Sequence, residues 1–173
     1  MNIPDILDLY EYNRWASERT LDAAAVLANE QYTRATEGSF SSLRAIMEHI
    51  LATEVVWLSR WEGHSLGEAP DYTGCVDVIS LMRIWKSYWT RQFRFLNALS
   101  EEDLSSPIAI RTRSGIETVQ TLGETLIHVV NHATYHRGQA ASLIRALGGA
   151  PQSTDYFTYC LVRGLKPAAD SAS

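Results

Sequence analysis

Apolar and polar positions alternate along this chain with a three-to-four-residue period over four long stretches, the spacing of helices that bury one face. The first stretch runs from about Asp5 to Asn29. Ile6, Leu9, Tyr10, Asn13, Ser17, Leu21, Ala24 and Leu27 share its inner side, and Pro4 suits a first turn. The segment QYTRATEGS then breaks the pattern. The second stretch starts from a cap drawn from Ser39, Ser41 or Ser42 and runs to about Glu62. Leu43, Ile46, Met47, Ile50, Leu51, Val55 and Leu58 line it, with His49, Thr53 and Trp57 as a parallel stripe. Residues 63–74, rich in Gly and Pro, read as loop. The third stretch, about Val76 to Leu99, carries Leu81, Ile84, Trp85, Tyr88, Phe95, Leu96 and Leu99, widened by Trp89 and Phe93. Such an aromatic stripe reads as core.

Residues 108–120 alternate around a Ser-Gly pair and could form a short hairpin outside the helices. The fourth helix starts at Thr121, which has capping-box spacing to Glu124, and ends at Gly148-Gly149 ahead of Pro151. Its length is roughly 40 Å at the helical rise. A short helix over Thr154–Arg163 follows, and 166–173 read as a disordered tail. The expected fold is all-α: a four-helix bundle in one domain, residues 1–165, with a β-hairpin between helices three and four. Long loops permit a topology other than up-down-up-down.

Composition narrows the function classes. Hydrophobic residues make up 46% and charged residues 20%, as in ordinary globular proteins. The net charge of −5 argues against a nucleic-acid binder and against anionic membrane surfaces. No stretch approaches the ~20 apolar residues of a membrane span. The N-terminal residues lack a basic region leading into an apolar run, so no signal peptide is expected and the cytoplasm is the default location. Cys75 and Cys160 form no CxxC and read as incidental thiols.

The chemistry concentrates in HVVNHATYHRGQ, residues 128–139, which holds three of the five histidines at four-residue spacing. On a helix that step turns a side chain by about 400° with a rise of about 6 Å, so neighbouring imidazoles can converge on one ion. His128 and His136 lie about 12 Å apart along the axis and cannot share the ion that His132 binds. Spacing alone leaves two pairs open, His128 with His132 or His132 with His136. His49, mid-helix beside the core face, is the natural third ligand, because an unpartnered ring there costs free energy. His64 falls in the exposed loop. The bland alternatives are a hydrogen-bonded core histidine at 49 and a solvated polar stripe of Glu124, His128, His132 and His136. There is no H-E-x-x-H, Glu-x-x-His, GxGxxG, GxSxG or P-loop.

The segment NHATYHRGQ (131–139), the early YNRWA (12–16) and the mid-helix histidine of SLRAIMEHI (42–50) together resemble the DinB/YfiT-like family of metal-binding four-helix bundles. The resemblance reaches to about Gly164, and its H-x-x-x-H-R-G-Q core is its most specific part. It implies His49, His132 and His136 as the ligands, with His128 one turn away as a neighbour or pocket residue. It further implies a divalent metal and, as in some members, transfer or isomerisation chemistry with a low-molecular-weight thiol. Other members are linked to DNA damage or stress without established turnover. A homodimer and a small-molecule substrate are the implied partners.

Three neutral imidazoles would leave open positions on Zn²⁺ or Ni²⁺, with Mn²⁺ and Fe²⁺ weaker fits. Such an ion could activate a thiol, giving an S-transferase, or water, giving a hydrolase. Arg137 is a candidate for orienting an anionic thiol or substrate, or for a structural ion pair. Gly138 would permit close approach of a helix or ligand. Asn131, Gln139 and Asn13 are candidates to hydrogen-bond the ligand rings, and Glu54 reads as a solvated surface group, with an acid–base role as the alternative. The competing expectations are a metal-binding stress protein without turnover and a bundle whose histidines bind no metal.

Overall fold

The computed structural model describes residues 1–64, 70–72, 74–111 and 115–164. The elements are α1 (Ile3–Ala25), α2 (Asn29–Thr33), α3 (Leu43–Trp61), α4 (Val78–Asn97), a 3-10 turn (Glu102–Ser105), strands β1 (Pro107–Arg111) and β2 (Glu117–Thr121), α5 (Leu122–Ala146) and α6 (Tyr156–Gly164). Four long helices form the bundle, as the periodicity predicts. The hairpin is present as an antiparallel pair with Ile108 facing Gln120, half-buried on its inner side. The tail from residue 166 lies outside the described residues, as does half of the 63–74 loop.

Local chemistry sets the helix ends. Asn2 and Asp5 make a capping box at α1, and the Ser42 side chain accepts from Ala45 N at α3. Thr121 ends β2 and caps α5 with Glu124, so the hairpin delivers the chain directly into the longest helix. At its far end Gly148 takes φ +88°, with Gly148 N donating to Arg145 O and Gly149 N to Ile144 O. That is a Schellman ending, which a β-carbon at 148 would strain. One boundary departs from the periodic reading: α1 stops at Ala25, and Asn29 instead opens the short α2. Val26 and Ala28 carry the chain around the bend, where the Gln31 side chain caps Ala28 N at 2.8 Å.

The bundle does not follow sequential neighbours. α5 packs against both α1 and α3, and α4 packs against both of them from the other side. Helices α1 and α3 therefore stand diagonally and meet only through side chains long enough to cross the centre. Trp85, Leu81, Leu58, Met47, Leu126 and Val129 fill that centre without exposed surface. Tyr10 donates to Leu126 O at 3.1 Å, and Trp61 Nε1 to Thr125 Oγ1 at 3.0 Å, satisfying the polar ends of two core aromatics. Among the described residues no helix is long and apolar enough to cross a membrane. The α3–α5 pairing places the histidine stripe of α5 against His49.

Candidate metal centre

His49 comes from α3, and His132 and His136 come from successive turns of α5. Their ring centroids lie 4.4 Å apart for 132 and 136, 4.6 Å for 49 and 136, and 5.0 Å for 49 and 132. The Nε2 of His132 sits 3.2 Å from that of His49 and 3.1 Å from that of His136. One ligand atom from each ring lies within 4.8 Å of the other two. Nitrogens at about 2.0–2.1 Å from a tetrahedral ion would be about 3.3 Å apart, so the three rings are positioned to bind a metal ion.

The donor set argues the same way. Gln139 Oε1 accepts from His136 Nδ1 at 2.8 Å, and its amide nitrogen is turned toward Tyr135 Oη. The His136 proton is therefore on Nδ1, which leaves Nε2 as a bare lone pair. His132 Nε2 then faces two imidazole nitrogens at once, and a single hydrogen cannot lie along both lines. A cation against all three lone pairs resolves that conflict. Burial, followed by the neighbouring rings of His136, His49 and His128, pushes the His132 pKa down to about 4. The ring is therefore neutral near pH 7, the form a metal requires.

The centre has two flanks. On one, the Phe40 ring packs against His49 at 5.1 Å and His136 at 5.3 Å. A groove of about 390 Å³ continues there between Glu37, Phe40, Ile46, Gln139, Ser142 and Leu143. On the other, His128 lies 6.0 Å from His132 and edge-on to Trp57 at 5.3 Å, beneath the Arg60 guanidinium. His128 is exposed and outside the triad, and burial, then Arg60, lowers its pKa. Of the two spacings the sequence left open, 132 with 136 is the pair that reaches His49. Phe40 was missed because it sits in a non-periodic segment, and Arg60 because an arginine near a helix end looks generic. The signal available for Arg60 was its three-residue step from Trp57.

Several sequence-derived roles need correcting. Arg137 follows His136 but points away from the centre, only 1% exposed. Its Nη1 donates to Asn13 Oδ1 at 2.6 Å and Ser17 Oγ at 3.3 Å, and its Nη2 donates to Thr134 Oγ1 at 2.8 Å. One residue is a 100° turn, so the side chain after an inward ligand faces α1 instead. Asn13 holds no imidazole: its Nδ2 donates to Glu54 Oε1 at 2.7 Å. Glu54 is not solvated but 1% exposed, and its Oε2 accepts from Trp85 Nε1 at 3.2 Å. Burial raises the Glu54 pKa against the pull of Asn13, Trp85 and Arg137. Asn131 is exposed toward α1, beside Leu9, Tyr12 and Thr134, and no hydrogen bond joins it to a ligand ring among the described residues. Gly138 is exposed, and a β-carbon there would meet nothing within 4 Å, so no neighbouring helix approaches it closely. His64 is exposed, as expected of the loop.

Comparison with known proteins agrees with this architecture. A family model described as the DinB family matches residues 1–163. The chain is 29% identical to "Protein DinB" of Bacillus subtilis (strain 168) over 167 residues, covering 92% of this chain and 96% of that protein. The crystal structure of a DinB-like protein from Bacillus cereus ATCC 10987 superposes with a TM-score of 0.66 at 22% identity, covering 88% of this chain and 97% of that one. This last likeness concerns the fold.

Proposed function

This chain belongs to the DinB family, and we propose that it is a divalent-metal protein whose His49, His132 and His136 hold Zn²⁺ or Ni²⁺ with coordination positions left open for a small thiol or water. The reaction class we assign is S-transfer from a low-molecular-weight thiol to an electrophile, with metal-assisted hydrolysis as the runner-up. The observation that carries the reading is the convergence of three Nε2 atoms from two helices, with His132 Nε2 at 3.2 Å from that of His49 and 3.1 Å from that of His136. The bound ion would supply Lewis acidity that favours the thiolate over the thiol.

The chain's own groups do the rest. Gln139 fixes the His136 ring and its tautomer. Phe40 covers one side of the His49 and His136 rings and limits water there. The adjoining groove, apolar at Phe40, Ile46 and Leu143 and polar at Glu37 and Ser142, is where an electrophile of modest size would lie against the thiol sulfur. Among the described residues no buried carboxylate reaches the triad to serve as a base, since Glu54 is committed to Asn13 and Trp85. This favours a reaction whose nucleophile is generated by the ion over one needing a protein base.

Two measurements test the reading. Elemental analysis of untagged chain should find about one metal per chain in the wild type and little in His132→Ala. Equal metal in both would overturn the site. Thiol conjugation followed across several thiols should depend on the metal and stop with chelator. A rate equal to the uncatalysed one for every thiol would remove the transferase assignment and leave a metal-binding protein without turnover.

A further inference from the structure

Arg60 lies on α3 one turn beyond Trp57, with its Cζ 4.5 Å from the centre of the Trp57 ring. Among the described residues its guanidinium makes no hydrogen bond and no ion pair. Three arginines elsewhere are paired, Arg44 with Glu48, Arg91 with Glu62 and Arg163 with Asp8. Arg60 is held in place by stacking while its N–H donors stay free, and it is half-buried. That partial loss of water pulls its pKa below the ordinary arginine range. Trp57 in turn meets His128 at 5.3 Å, and His128 meets His132 at 6.0 Å. The same α3–α5 seam thus carries the triad at one end and a cation on an aromatic ring at the other. The carboxylate in line with His128, Glu124, is turned away onto its own helix end, accepting from Thr121 N at 2.8 Å and Thr121 Oγ1 at 2.9 Å. It does not neutralise Arg60.

We propose that Arg60, stacked on Trp57 beside His128, is an oxyanion subsite that binds the carboxylate or phosphate of a ligand whose other end reaches the histidine triad. The substrate class is then a thiol, or another metal-directed group, joined to an oxyanion by an extended chain that follows the α3–α5 seam past the exposed His128. Arg60 supplies the paired donors such a group matches in a fork, a geometry that lysine lacks. Arg137, the arginine the sequence suggested for this task, is sealed in the core by Asn13, Ser17 and Thr134. The inference deepens the proposed metal centre and rests on it for the ligand's other end only.

The test uses the full chain loaded with Co²⁺ and titrated with ω-mercaptoalkanoates of increasing length, with matched mercaptoalkylphosphonates and mercaptoalkanols. The thiolate-to-cobalt absorption reads binding. One chain length of the acids should bind about tenfold more tightly than the alcohol, a typical gain for a charge-assisted contact. Arg60→Gln should abolish that gain and leave the alcohol's affinity unchanged, and Arg60→Lys should keep part of it. Whichever of the carboxylate and phosphonate series shows the larger gain identifies the oxyanion. A parallel arm follows the Arg60 Nε–Hε resonance in metal-free protein, assigned by its loss in Arg60→Gln. It should move with the acids and stay still with the alcohols. Equal affinity for acids and alcohols at every length, or discrimination that survives Arg60→Gln, overturns the subsite. If no thiol gives a cobalt band while the Arg60 resonance moves with the acids, the metal reading fails and the subsite stands.

Discussion

Two polar clusters sit inside the same bundle and draw on the same two helices, yet they are built on opposite rules. In the first, Glu54 of α3 accepts from Asn13 of α1, and Arg137 of α5 donates to the same Asn13. The amide offers its nitrogen to the acid and its oxygen to the base, so a diagonal gap is bridged with donors matched to acceptors. In the second, three imidazoles meet with like atoms facing one another. Matched buried polar groups hold helices in register. Gathered imidazole nitrogens are matched less well by one another and are positioned to bind a cation. His136 and Arg137 are consecutive residues that serve different clusters, which shows how a single helical step separates an imidazole of the triad from a strut.

The sharpest way to break this comparison is to leave the sealed cluster half-empty. Glu54→Leu strands the Arg137 cation in the core and should destabilise the protein by about 3–5 kcal/mol in denaturant unfolding. Pairing it with Arg137→Met should recover most of that loss, because two buried charged groups removed together cost less than one left uncompensated. If the single variant unfolds like wild type, Glu54 is not carrying a charge that Arg137 needs. An effect of intermediate size belongs to the open cluster. Gln139→Leu should weaken metal binding by about 10–100-fold while metal-free stability changes by no more than about 0.5 kcal/mol. Competition with a metallochromic chelator reads the first quantity and urea unfolding the second. A stability loss without an affinity loss would move Gln139 into the structural class.

The smallest expected effect is the pH response of the metal-free protein. His132 has a folded pKa of about 4, below its ordinary value of about 6.5, so the unfolded chain binds more protons between these limits. Stability from this group is present above about 6.5 and lost as pH falls toward 4. The loss falls well short of 1.36 kcal/mol per unit because the ring is partly exposed and screened. Metal should add to the midpoint of thermal unfolding at pH 7.5 and cease to do so below about pH 5, where the unfolded histidines hold their protons. Thermal scans with and without chelator at both pH values check the sign. A midpoint indifferent to chelator at pH 7.5 would mean that binding contributes nothing to folding.

How much of this was legible beforehand differs between the clusters. The α5 stripe was readable because residues four apart on a helix must share a face, and Thr121, Glu124, Gly148 and Gly149 marked its ends with side-chain and backbone chemistry that acts over a few residues. The hairpin was readable from alternation, whereas the break at Ala25 was not: the apolar spacing continues to Leu27 even though the backbone has turned. Glu54 looked solvated because a lone acid in a helix usually is. Its two partners, Asn13 and Trp85, lie 41 and 31 residues away.

What the sequence settled by itself is therefore what local periodicity and capping can settle: four amphipathic helices, a hairpin, and two imidazoles one helical turn apart. The tertiary structure decided the rest. It chose 132 with 136 because α3 crosses α5 at that height, it sent Arg137 inward and left Arg60 stacked on an indole. It also joined α1 to α3 across the centre, through Asn13 with Glu54 and through the Tyr10 ring against Trp61. The physical reason is range: hydrogen-bonded helical geometry fixes neighbours within a turn or two, while which helix lies opposite depends on how all the apolar faces close together.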